Sequence, residues 1–128
     1  LPTPDRVRIF YQAAFSNSVL KQSADPLYLS PLATILSSVA SDRSKLATFE
    51  DALLSSVEQH VTDVTPELQF VVGLILKNLY DSHVLEEDSI IRWYQKATTL
   101  HSKEAITRAK AAAFVEWLQT AEEDDGED

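Results

Sequence analysis

Apolar residues recur along this chain at intervals of three and four rather than in alternation. Leu32, Ile35, Leu36 and Val39 form one such stripe, Leu46, Phe49, Leu53 and Val57 a second, and Phe70, Val71, Leu74 and Ile75 a third. That spacing places each set on one face of an α-helix, and no segment sustains the period-two alternation of a strand. The final stretch is the most regular. There Ile106, Ala109, Ala113, Phe114, Trp117, Leu118 and Ala121 share a stripe, while Lys103, Arg108, Lys110 and Glu116 lie mostly outside it. Ser30-Pro31 and Thr65-Pro66 each offer an N-cap acceptor followed by a ring that already holds helical φ, and Thr3-Pro4 repeats the arrangement. The pattern predicts six helices, at 4–22, 31–40, 43–60, 66–82, 86–99 and 103–122. The expected class is all-α: an α-solenoid of three stacked antiparallel helical hairpins, although an ordinary globular bundle satisfies the same periodicity.

Charge changes this picture at one end. Of 20 Asp and Glu against 11 Lys and Arg in 128 residues, six carboxylates (Glu122, Glu123, Asp124, Asp125, Glu127 and Asp128) crowd the last seven positions. A run of like charge without apolar side chains repels itself, so the reading is one helical domain over 1–121 followed by an acidic, disordered tail at 122–128. A net charge of -9 opposes contact with a phosphate backbone, so no direct nucleic-acid partner is expected. The longest apolar-rich run, Leu68 to Leu79, is interrupted by Gln69, Lys77 and Asn78, which is too short and too polar for a bilayer span. No membrane partner is expected either. Cysteine is absent and LPTPDRVRIF lacks the apolar core of a signal peptide, so the expected location is cytoplasmic.

Catalytic patterns are missing from the sequence. His60, His83 and His101 have no second histidine at metal-ligand spacing, and are read as polar residues at interhelical turns. The serines show no nucleophile-elbow motif, and Ser37, Ser38, Ser55 and Ser56 are expected to face solvent. Only two glycines are present, Gly73 and Gly126, so no phosphate-cradling loop can be assembled. The expectation is a chain without catalytic residues, metal or cofactor.

Two blocks stand out instead. The first, Leu79 to Tyr94, joins Tyr80, Trp93 and Tyr94 to Glu86, Glu87 and Asp88; the second, Phe114 to Asp125, joins Phe114 and Trp117 to Glu116, Glu122, Glu123, Asp124 and Asp125. Acids at the start of a helix are favoured by the macrodipole, which accounts for the first block, but acids at a helix C-terminus oppose it. An acidic docking face for a basic partner accounts for both, with the carboxylates as contacts. Both tryptophans fall on apolar stripes, so the box aromatics are expected mainly in the core.

The pair LYD…LEED.I..WY and FVEWL..AEEDD resembles the two acidic and aromatic boxes of the two-tryptophan, HEAT-like domain at the C-termini of eukaryotic translation initiation factors, over about Leu79 to Asp128. The resemblance implies a stack of helical hairpins whose boxes bind a lysine-rich segment of the beta subunit of the initiator-tRNA-carrying GTPase, together with other initiation factors. It is placed first with the epsilon subunit of that GTPase's guanine-nucleotide exchange factor, because LATFEDALLSSVEQH is similar to the helix before that subunit's first box. There it would support exchange by binding, without an active site of its own. KATTLHSKEAITRAKAAAFVEWL is similar to the GTPase-activating factor, and a mimic protein or a plain scaffold adaptor are the other readings.

Overall fold

The computed structural model describes residues 1–96 and 102–125, with side chains through 121. Within those residues the fold is all-α, with no strand. Helix α1 (Thr3–Ala14) is followed by a short α2 (Val19–Gln22), then α3 (Pro26–Val39) and α4 (Arg43–Gln59). A π-helical turn (His60–Val64) and a 3₁₀ segment (Pro66–Val71) lead into α5 (Val72–Asp81), and α6 (Glu87–Lys96), α7 (Lys103–Ala109) and α8 (Ala112–Asp125) complete the chain. The HEAT-like class holds, and three of the six expected helices, at 4–22, 66–82 and 103–122, are divided. Expectations at 97–99 and at His101 lie outside the described residues.

The predicted 4–22 helix breaks at Phe15, whose backbone is extended (φ -90°, ψ 139°). Its ring stacks on Tyr11 with centroids 4.8 Å apart, and the polar turn after it is closed by Ser16 Oγ accepting from Ser18 N–H. Local serine and asparagine chemistry competes with the helix at this point. Helix α3 starts earlier than Ser30-Pro31: Asp25 is the N-cap, accepting from Leu27 N–H at 2.9 Å, and Pro26 holds the first turn. Pro31 lies inside the helix on its solvent side, where the Leu27 carbonyl it leaves without a donor is open to water. Helix α4 begins where expected, with Asp42 accepting from the Ser44 and Lys45 N–H groups.

Helix α4 is central, since α1, α3, α6 and α7 all pack on it. Its inward positions Phe49, Leu53, Leu54 and Val57 are fully buried and meet Val7, Leu32, Ile75 and Ile90 in one continuous core. The third predicted stripe is displaced. Val72, Ile75, Leu76 and Leu79 are buried, whereas Phe70 and Leu74 face outward, because the 3₁₀ segment advances the chain by three residues per turn instead of 3.6 and rotates α5.

Four polar groups on α4 and the turn after it are buried: Glu50 and Glu58, to which periodicity assigns no role, and Ser56 and His60, expected at the surface and at a turn. Glu50, on α4, accepts Glu86 N–H at 2.9 Å and the Ser89 hydroxyl, so a carboxylate from one helix caps the N-terminus of another, α6. Two turns later Glu58 accepts the Trp93 indole N–H at 2.9 Å and receives the Arg108 guanidinium through Nε and, at 3.0 Å, Nη2. Arg108 also donates to the Trp93 carbonyl at 3.2 Å and lies over its ring, 5.5 Å from the centroid. Past the end of α4, His60 is buried rather than turn-exposed and shares a 2.7 Å hydrogen bond with Tyr11 Oη, and Ser56 is buried with its hydroxyl donating to Ala52 C=O. Burial holds the His60 imidazole below its usual pKa and pushes the Tyr11 phenol well up.

Two measurements test these contacts. Glu58→Ala removes the shared acceptor of Trp93 and Arg108 and should cost about 3–5 kcal/mol in urea unfolding, and Glu58→Gln, which keeps an acceptor for the indole, should cost less. His60 takes up its proton at higher pH in the unfolded chain than in the folded one. Its contribution is therefore intact above the unfolded value of about 6.5 and is lost as pH falls below it. The stability difference between wild type and His60→Gln should shrink on acidification through that window; a difference independent of pH would show that folding leaves the pKa of the imidazole unchanged.

Candidate functional site

The first box is built by the α5–α6 connection. Helix α5 ends in a Schellman turn: His83 adopts φ 63°, its N–H donates to Tyr80 C=O at 3.0 Å, and Val84 N–H reaches back to Leu79 C=O at 3.0 Å. Leu79 and Val84 are both buried, the apolar contact that usually accompanies this motif. The turn delivers Leu85 to the core and leaves Glu86 outside, where the Glu50 carboxylate fixes its backbone. Around this corner lies an open hollow of about 410 Å³ lined by Tyr80, Asp81, His83, Leu85, Glu86 and Glu87. Three carboxylates and a half-buried phenol ring thus share one concave surface.

Of the predicted contact residues, Glu86, Asp88 and Glu116 are exposed and Glu87 is half-buried. Glu122, Glu123, Asp124 and Asp125 lie outside the residues whose side chains are described, although α8 runs through them. Among the aromatics, Trp93 is 7 % exposed and Phe114 8 %, both core residues, and Tyr80 and Tyr94 are half-buried against the core. Trp117 departs from the expectation at 46 % exposed. The chain turns at Lys110–Ala111, where Ala111 N–H bonds to Arg108 C=O rather than continuing the α-helix, so the single stripe predicted over 103–122 is two stripes on two helices. Ile106 is turned outward by the same break, and Arg108, expected outside, is turned inward to Glu58. Every residue from Ala105 to Trp117 is compatible with helix, so local propensity does not set the break, which lies where α5 packs on the start of α8 around Gly73, Ala111 and Phe114.

Trp117 instead stacks on Phe114 at 6.1 Å and meets Tyr80 edge-on at 6.4 Å, with Lys77 Nζ 5.7 Å from its ring centroid. Tyr80 also meets Phe114 edge-on at 6.2 Å, so the two boxes touch through aromatic rings. Helical periodicity assigns no role to Glu50 or Glu58 and places Arg108 outside, yet the three hold α6 in place; a charge at an inward helical position is the available sign, at Glu50 one residue after Phe49 and at Glu58 one after Val57. No group of His, Asp or Glu able to hold a metal ion occurs among the described residues.

A family model described as W2, eIF4-gamma/eIF5/eIF2-epsilon, matches residues 49–128. The chain belongs to the W2 family. The match takes in α4 from Phe49 onward, both boxes and everything between them. Eukaryotic translation initiation factor 5 of Phaseolus vulgaris is 37% identical over 76 residues, covering 59% of this chain and 17% of that protein. The same factor from Mus musculus is 47% identical over 74 residues, covering 56% of this chain and 17% of that protein. Probable eukaryotic translation initiation factor 5-2 of Arabidopsis thaliana is 40% identical over 57 residues, 44% of this chain and 13% of that protein. This W2 chain is therefore an initiation-factor domain that spans about a sixth of the length of its curated relatives. No solved structure matches it. No described helix is long and apolar enough to cross a membrane.

The half-exposed position of Trp117 sets its energetics. Trp117→Ala should cost about 1–2 kcal/mol, and Trp93→Ala about 3–5 kcal/mol, because only the second empties a buried site. Thermal midpoints of the two variants check the order; equal losses would place both rings in the core.

Proposed function

We propose that this W2 domain is a cytoplasmic docking module that binds the lysine-rich segment of the initiation GTPase's beta subunit through its acidic and aromatic boxes. The observation that carries the reading is the family match over 49–128, which spans both boxes. The corner hollow supports it chemically. Asp81, Glu86 and Glu87 offer carboxylates for an ammonium group, and Tyr80 and Leu85 offer apolar surface for its four-carbon stem. Exposed Glu86, Asp88 and Glu116 extend the same sign of charge, which steers a basic segment and weakens with salt.

The relatives named above are factor 5 chains, which favours a docking domain of that type. The exchange-subunit placement remains the second reading, because eIF2-epsilon appears in the description of the matching family. In either case the domain acts by binding, and any effect on nucleotide release requires tighter binding to one nucleotide state of the GTPase. A nucleotide-release assay on the purified GTPase separates the two: acceleration supports the exchange reading, and unchanged release supports docking alone.

Titration with a lysine-rich peptide tests the surface. Glu86→Ala with Asp88→Ala should weaken binding while lowering stability by no more than the helix-dipole contribution of about 0.3–1 kcal/mol at Asp88, and removal of 122–128 should lower the association rate and flatten its salt dependence. Wild-type affinity that is indifferent to salt while the Debye length falls from about 10 to 3 Å would sink the electrostatic reading.

A further inference from the structure

Beside the acidic corner runs a groove of about 350 Å³ with a different character, lined by Phe70, Leu74, Lys77, Lys110, Phe114 and Trp117 together with Gly73 and Ala113. Three of its large apolar side chains are left open to solvent: Phe70 at 73 %, Leu74 at 53 % and Trp117 at 46 %. Its floor is the close contact at Gly73, where an added Cβ would sit 3.4 Å from the Phe114 Cβ. Gly73, Leu74 and Lys77 lie on one face of α5, and Lys110, Ala113, Phe114 and Trp117 follow each other at helical spacing into α8. The walls ascend together. Lys110 Nζ lies 4.8 Å from the Phe70 ring centroid at one end, and Lys77 Nζ lies 5.7 Å from Trp117 at the other.

In a chain with 20 acids and 11 bases, both ends of this apolar strip are thus closed by ammonium groups. Lys77 pairs with Asp81 at 2.8 Å, and among the described residues Lys110 has no carboxylate partner. A lysine-rich segment meets repulsion at the Lys110 end. We propose that the groove is a second docking site, for an amphipathic helix of another protein that carries bulky apolar side chains flanked by carboxylates. Phe70 precedes Lys77 by seven residues, from the end of the 3₁₀ segment into α5, and Lys110 precedes Trp117 by seven, from the turn into α8, so each wall is on the order of 10 Å long. The complementary occupant places carboxylates at i and i+7 and apolar side chains at i+3 and i+4, the pattern by which a helix fills a groove. The domain then presents two adjacent faces of opposite preference, an acidic corner for basic segments and a lysine-ended groove for acidic ones, and is able to hold two partners at once.

The test uses the full chain and a labelled helical peptide with Glu at i and i+7 and Leu at i+3 and i+4, beside a charge-swapped peptide with Lys at the two outer positions. The Glu peptide should bind saturably and shift the indole N–H resonance of Trp117 while that of Trp93 stays in place. Lys110→Glu and Leu74→Asp change exposed side chains, so both should keep the wild-type fold by circular dichroism. Each should weaken the Glu peptide by about tenfold, and Lys110→Glu should improve binding of the Lys peptide. Binding should survive Glu86→Ala with Asp88→Ala, which separates this groove from the acidic corner. The proposal is overturned by absence of saturable binding, by equal affinity for the two peptides, or by insensitivity to both variants. It is also overturned if the Trp117 resonance shifts with protein concentration alone, since a second copy of the chain would then be the occupant.

Discussion

Two buried carboxylates on one helix fix the geometry on which the functional surface depends. Glu50 and Glu58 lie eight residues apart on α4, and each receives a later part of the chain: Glu50 the N-terminus of α6, Glu58 the indole of Trp93 and the fork of Arg108. Helix α6 is thereby held along its length, and α7 is tied to the same point. Apolar packing alone permits a helix to slide or rotate over its neighbour at modest cost, whereas a desolvated carboxylate tolerates no position without its donors. The arrangement specifies register more than it adds net stability, because burying charge is itself costly.

The consequence reaches the surface through the two tryptophans. Trp93 is spent on the internal network, its indole N–H on Glu58 and its ring under Arg108, and so positions the acidic corner from beneath. Trp117, the other hallmark tryptophan, lies at the boundary between that corner and the lysine-ended groove, in contact with Tyr80 and Phe114. Similar in sequence context, the two rings have different tasks because α6 is pinned on both sides and α8 is covered on one.

Much of the site was legible before any coordinates. The aromatic and acidic blocks are local strings, and their resemblance to the W2 boxes agrees with the family match. The exposed acids at Glu86, Asp88 and Glu116 follow from charge alone, since an unpaired carboxylate stays in water. The inward carboxylates were not legible, because a glutamate on the apolar face of a helix is paired only by partners 35 to 50 positions away. The groove was likewise hidden: Phe70, Leu74 and Trp117 carry the same apolar signature as core residues.

By itself the sequence determined the all-α class, the start of α4 and the two boxes, because three- and four-residue periodicity and charge runs act within a few residues of chain; the caps it suggested at Thr3, Ser30 and Thr65 form no side-chain cap bond. Only tertiary structure decided where helices break and which face of each is covered. The stretch around Lys110 has every local reason to continue as helix, and it turns where α8 begins its packing on α5. Outward placement of Phe70 and Leu74 and exposure of Trp117 are likewise decided by which neighbour covers each face. Periodicity states that a helix has an apolar face, and the neighbour that covers it comes from elsewhere in the chain.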